Sequence, residues 1–147
     1  MLITQKCHYA MRAVFELALQ YNQKSGPIKI ADIAKAQSIP PRFLEVILSQ
    51  LKQGGFVGSQ RGSEGGYYLV RPPEKLMVGE VIRFIQGPVI PPETKKKETA
   101  SKEERVFQEL WRRVEDAISG VYDSVTFGSL VERWEKTRDV PVLHYSI

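Results

Sequence analysis

Apolar positions recur along much of this chain with a helical period. From Thr4 to about Tyr21, residues Cys7, Ala10, Val14, Leu17 and Tyr21 fall at alternating three- and four-residue steps, the spacing of a helix that buries one face. Ser25-Gly26-Pro27 ends that pattern. A second, short helix is predicted from Ile30 to Ala36 with Ile33 and Ala34 inward, and a tight Gln37-Ser38 turn runs straight into a third. The third opens at Pro40-Pro41, where proline gives up an amide that has no intrahelical partner anyway. Leu44, Ile47, Leu48 and Leu51 form its inward face, and Gly54-Gly55 stops it.

The period then changes. Phe56-Val57 and Tyr67-Tyr68-Leu69-Val70 read as two strands joined by the stretch Gly58 to Gly66, whose glycine density permits positive φ and a sharp hairpin. A fourth helix is predicted from about Val78 to Gln86, with Val81, Ile82 and Ile85 apolar, and Gly87-Pro88 closes it. Pro88 to Glu104 carries Lys95-Lys96-Lys97 and several prolines without apolar periodicity, the signature of a mobile linker. A long helix is expected from about Lys102 to Val125, bearing Phe107, Leu110, Trp111, Val114, Ile118, Val121 and Val125. Thr126 is placed to cap a last helix carrying Leu130, Val131 and Trp134.

Composition narrows the function. A chain of 147 residues with 42% hydrophobic and 10% aromatic content can bury a core, but it is too short for two large independent domains. Cys7 is the only cysteine, so one subunit cannot form a disulfide or supply the several thiolates of a zinc ribbon or iron–sulfur cluster. Its pairing with His8 offers too few ligands for a closed metal site, and a buried structural thiol is the expected role. With no apolar run approaching a membrane span and no signal-peptide pattern, a cytoplasmic location is expected. Residues 1–92 hold eleven Lys/Arg against six Asp/Glu, and residues 93–147 ten against eleven, so the positive excess lies in the N-terminal part and suits a polyanionic partner.

Two short helices across a tight turn, followed by a glycine-rich hairpin, give the order of a winged helix-turn-helix. A helix fits the DNA major groove, and a short ribbon with a basic tip reaches neighbouring phosphates or the minor groove. Turning Leu44, Ile47, Leu48 and Leu51 into the core leaves Arg42, Phe43, Glu45, Val46, Ser49, Gln50 and Lys52 on or near the other faces. Arg42, Phe43 and Glu45 are the candidates for base readout: arginine to guanine, glutamate to the cytosine amino group, the aromatic ring to a thymine methyl. Ser49 belongs to the same candidate DNA-binding set, and Arg61 is the lone basic side chain of the wing. No nucleophile–base pair, carboxylate dyad or phosphate-binding loop emerges, so an enzyme is not expected.

Three segments carry a resemblance to a known family: MLITQKCHYAMRAVFELAL, IADIAKAQSIPPRFLEVILSQLKQGGFVGSQRGSEGGYYLVRPPEKLMVGEVIRFIQG and TFGSLVERW. Together they resemble the Rrf2 transcription regulators over nearly the whole chain, most specifically in LKQGGFVGSQRGSEGGYYLVRP. The resemblance implies that Arg42, Phe43 and Glu45 contact bases, that Arg61 contacts the minor groove, and that Lys6 and Tyr9 lie close to the DNA backbone. It also implies that the long helix crosses its symmetry mate in a dimer. Many members hold an iron–sulfur cluster through three cysteines between the fourth and the long helix, whereas PVIPPETKKKETASKEER here has none. The chain is therefore similar to the cluster-less branch, some of whose members answer to a small molecule or to a partner enzyme of cysteine metabolism. Glu64 puts an acid in the wing where the family usually has neutral or basic residues, which opposes phosphate approach.

The expected architecture is mostly α with a small β-hairpin wing, a winged helix-turn-helix plus a long dimerisation helix. Residues 1–87 form the DNA-binding domain, 88–104 the linker, and 105–147 the dimerisation and C-terminal helices. Phe107, Leu110, Trp111, Val114, Ile118 and Val121 form the dimer seam. The expected function is sequence-specific regulation of transcription by a homodimer on inverted-repeat operators in double-stranded DNA, with no cofactor and no membrane association, and with room for a small-molecule or protein effector. The competing expectation is a winged-helix module that binds a partner protein instead of DNA.

Overall fold

The computed structural model of the protein describes residues 2–90 and 99–138. Among them run α1 (Gln5–Tyr21), α2 (Ile30–Gln37), α3 (Pro41–Gln53), β1 (Val57–Gln60), β2 (Gly66–Leu69), α4 (Val78–Gln86), α5 (Lys102–Tyr122) and α6 (Phe127–Arg138), with one 3-10 turn at Pro73–Lys75. The architecture is that of a winged helix-turn-helix extended by a long helix.

Helix α1 is the hub, packing against α2, α3, α4, α6 and β2. Its start is fixed by Thr4, whose hydroxyl accepts the Cys7 amide at 3.1 Å, satisfying one of the amides a helix leaves unpaired. Gln86 at the end of α4 accepts the Thr4 amide at 3.1 Å and donates to the Leu2 carbonyl at 2.7 Å, which ties the two helix ends together. Cys7, Ala10, Ala13, Val14, Leu17 and Ala18 are buried, and the three alanines allow neighbouring helices to approach closely. Tyr21, the last predicted inward residue, is exposed at the helix end instead. On α3 all four predicted inward residues, Leu44, Ile47, Leu48 and Leu51, are buried, each stabilising the fold by about 1.5–3 kcal/mol.

The turn between α2 and α3 is held by more than its own backbone. Ser38 takes the left-handed conformation at φ 53°, and the Ile39 amide bonds the Ala34 carbonyl at 3.0 Å. Beneath it, the Gln37 carboxamide donates to buried Glu16 at 2.8 Å and accepts from Arg12 at 3.3 Å, while the Arg12 guanidinium also donates to the Gln37 carbonyl. A carboxylate that is nearly buried is tolerable only with such partners. This Arg12–Gln37–Glu16 network fixes where the third helix begins.

Two boundaries differ from those expected. The strands run further into the glycine-rich stretch, pairing Val57 with Leu69 through Gln60 with Gly66, so the connecting loop is only residues 61–65. Gly58 can sit in the ladder because the Tyr68 ring lies over it, close enough that a Cβ would meet the ring at 2.5 Å. Phe56 and Val70 flank the strands and are linked by one backbone bond of 3.2 Å. Gly66, at φ 153°, would drive a Cβ to 2.4 Å from the Ile28 backbone, so glycine is what lets the wing root bridge Ile28 to Tyr67.

The long helix begins at Lys102, as its spacing predicts, started by the reciprocal capping box of Ser101 and Glu104, and so takes in the last residues of the 88–104 linker. It ends at Tyr122 rather than Val125. The Val125 carbonyl instead accepts the Val78 amide at 2.9 Å, and Phe127 N–H donates to the Leu76 carbonyl at 2.9 Å. Arg83 of α4 clasps this end, donating to Asp123 at 2.6 Å and to Ser119 at 3.1 Å. The hydrogen bond from Arg83 holds the Asp123 carboxyl below its usual range. Thr126 caps α6 as expected, its hydroxyl accepting the Ser129 amide at 3.0 Å. The lysine run 95–97 and the end of the chain from residue 139 lie outside the described residues.

Candidate nucleic-acid interface

Burial of one face of α3 leaves Arg42, Phe43, Glu45, Val46 and Ser49 exposed on the other. Phe43 is 47% exposed and Val46 56%, so neither is a core residue. Glu45 lies beyond the first turn, where no acidic residue is found, so it does not complement the positive end of the helix. Arg42 is the second residue of α3 and sits at that positive end. A cation there is electrostatically misplaced unless an anion or strong acceptor meets it from outside. Its guanidinium lies 5.1 Å from the Phe43 ring centroid, a cation–π contact that restrains both side chains.

Helix α1 repeats this arrangement. Lys6 is its second residue, is exposed, and has no acidic residue in the first turn to offset it. Tyr9, one turn on, is half-buried, with its hydroxyl accepting from the Gln5 side chain at 3.1 Å. Gln5, Lys6 and Tyr9 meet Phe43, Val46 and Ile47 around a single open cleft of about 230 Å³. Three of the sequence-predicted residues, Lys6, Tyr9 and Phe43, thus border one feature; Arg42, Glu45 and Ser49 lie outside its lining on the exposed surface of α3. The start of α1, with its cation Lys6, thus lies at this cleft, while Arg42 stands next in sequence to its Phe43 wall.

The wing carries the remaining predicted residue. Arg61 is exposed at the hairpin loop, followed by Gly62 at φ 109° and a turn closed by Gly65 N–H to the Gly62 carbonyl at 3.0 Å. Glu64 is exposed in the same loop. Lys52 of α3 donates to Ser59 of β1 at 2.6 Å, coupling the wing to the end of the third helix. Two contributors were missed from sequence: Val46, left without a role, and the Arg12–Gln37–Glu16 network, whose polar residues resemble a solvated flank until the turn folds over them.

The apolar face of α5 forms a second surface. Its main contact within the protomer is α4, and Tyr122 is its only buried residue. Phe107 is 57%, Leu110 43% and Trp111 40% exposed; Val121 is exposed too, while Val114 and Ile118 are half-buried. A row of large apolar residues in water at helical spacing is the kind of patch that marks an interaction site.

A helix-turn-helix whose third helix turns a polar, aromatic and cationic face outward, flanked by a hairpin wing tipped with arginine, defines a winged-helix transcription regulator. The chain belongs to the Rrf2 family: the family model, described as iron-dependent transcriptional regulator, matches residues 3–133. It is 35% identical over 130 residues to the HTH-type transcriptional regulator CymR of Bacillus subtilis, covering 88% of this chain and 89% of that protein. It is also 35% identical to the HTH-type transcriptional regulator IscR of Cronobacter sakazakii over 92% of this chain and 83% of the relative. The solved structure of CymR, the global cysteine regulator of B. subtilis, superposes with a TM-score of 0.75 at 32% identity, over 90% of this chain and 98% of that one. T. potens IscR gives 0.78 at 29% identity, over 99% and 97%.

The iron dependence in the family description is not matched by a set of cysteines in this sequence. Cys7 is the single cysteine of the chain; it is fully buried, and burial pushes its thiol pKa up, disfavouring the thiolate that would ligate iron. Among the described residues no group of three or more His, Cys, Asp or Glu is arranged to hold a metal ion. No described helix is long and apolar enough to cross a membrane.

Proposed function

We propose that the protein regulates transcription by binding duplex DNA as a homodimer on inverted-repeat operators, without an iron–sulfur cluster. The observation that carries this reading is the outward face of α3, where Arg42, Phe43, Glu45 and Ser49 are exposed while the opposite face is fully packed. Arg42 is assigned to a guanine, Glu45 to a cytosine amino group, Phe43 to a thymine methyl, and Ser49 to the adjoining base edge or phosphate. Arg61 of the wing takes the minor groove or flanking phosphates, and Lys6 and Tyr9 the backbone beside the cleft.

The dimer is assigned to the exposed face of α5, through Phe107, Leu110, Trp111, Val114, Ile118 and Val121. Pairing by two-fold symmetry places two recognition helices about one DNA turn apart, roughly 34 Å, and so selects palindromic sites. Selection of bound sequences from random duplex DNA tests this reading. The expected product is an inverted repeat with half-sites one turn apart. Enrichment of no sequence would favour the competing reading, a winged-helix module that docks on a partner protein.

A further inference from the structure

The cleft between α1 and α3 has a chemical character that its rim does not share. Its wall consists of the Phe43 ring, the Val46 and Ile47 side chains and the Tyr9 ring, with Lys6 and Gln5 at its edge. Ile47 is buried beneath, whereas Phe43 and Val46 stand in water at 47% and 56% exposure. They are one helical turn apart on α3, so the two form a continuous apolar ledge in the middle of an otherwise polar surface. A β-branched residue gains nothing for the helix itself, and its apolar surface is left wet unless something covers it.

The bordering charge identifies the class of occupant. Lys6 lies on the rim and Arg42 rests against Phe43, so the approaching surface is anionic at its margin and apolar at its centre. In the major groove the one apolar feature on any base edge is the C5 methyl of thymine. We propose that this cleft receives a thymine methyl group, with Val46 as a specificity-determining residue that shares the contact with Phe43 and Tyr9 while Lys6 meets the adjacent phosphate. The inference rests on the DNA-binding reading above, which gave a thymine methyl to Phe43, and adds to it the cleft that receives the methyl and a second residue that reads it: each operator half-site carries a thymine facing Val46.

Replacing a single thymine by deoxyuridine removes that methyl and leaves every hydrogen-bonding group of the base in place. Fluorescence anisotropy on the selected operator, scanned thymine by thymine with deoxyuridine, should find one position per half-site where affinity falls about fourfold, the worth of one buried methyl-sized group. In Val46→Ala, where the side chain replaced is 56% exposed, the thymine operator should bind more weakly and the penalty for deoxyuridine at that position should largely vanish. A scrambled duplex serves as the reference. If wild type prefers the operator yet no deoxyuridine weakens it, the methyl contact is overturned and the DNA-binding reading stands. If a deoxyuridine penalty exists but is undiminished in Val46→Ala, the methyl is read elsewhere and the role of Val46 is overturned. If wild type does not distinguish operator from scrambled duplex, both the reading and the inference built on it fall.

Discussion

Arg42 and Lys6 are chemically alike, each a cation at the second position of a helix, yet their places predict different failures. Under the proposed contacts Arg42→Ala removes a bidentate base contact, so binding to the preferred operator should weaken by roughly 1–3 kcal/mol with relaxed preference at one base pair per half-site. Binding to unrelated duplex should change less. Lys6→Ala, which on the same proposal loses a phosphate contact, should weaken all duplexes alike and reduce the salt slope by about one for each contact removed. Titrating operator and scrambled duplex at several salt concentrations separates the two, and identical behaviour of both variants would sink the division of labour. The candidate residues themselves were legible because charge and aromaticity stand out against the leucine face of α3. Val46 was not, because its significance comes from the neighbouring helix: only folding brings Lys6 and Tyr9 beside it.

Elements were easier to foresee than their edges. Helix α4 begins and ends where apolar spacing put it, at Val78 and Gln86, since Gly87-Pro88 closes it and the Glu80 carboxylate accepts the Met77 amide at its start. The start of α5 at Lys102 was foreseen, but its end was put three residues too far because Val125 keeps the apolar spacing, while its carbonyl is taken by the Val78 amide instead of continuing the helix. The hairpin strands were misjudged because Gly58 looks like a loop residue until Tyr68 covers it from the opposite strand. In α5, the exposed row from Phe107 to Val121 calls for a partner helix. Replacing Leu110 and Ile118 together by aspartate should put charges into that seam at a cost of several kcal/mol to association. Sedimentation should then find monomer at micromolar concentration with the helical content of each protomer kept, and a persistent dimer would move the seam elsewhere.

At the scale of the whole molecule, the proposed function divides the work between a basic winged-helix part for contact with a polyanion and a charge-balanced long helix for self-association. The donor set of the chain carries a further consequence: protein purified without oxygen should lack visible-range absorbance and stoichiometric iron and sulfide, and finding them would overturn the cluster-free reading. The central claim is that this is a sequence-specific, salt-sensitive DNA-binding dimer. It is tested most directly by titrating the wild-type protein against the selected operator and a scrambled duplex of the same length, with fluorescence anisotropy read at several salt concentrations. The account predicts two protomers per operator, at least about 10³-fold preference over the scrambled duplex near physiological salt, and affinity for both duplexes falling steeply as salt rises. Equal affinity for the two duplexes, or binding indifferent to salt, would contradict it.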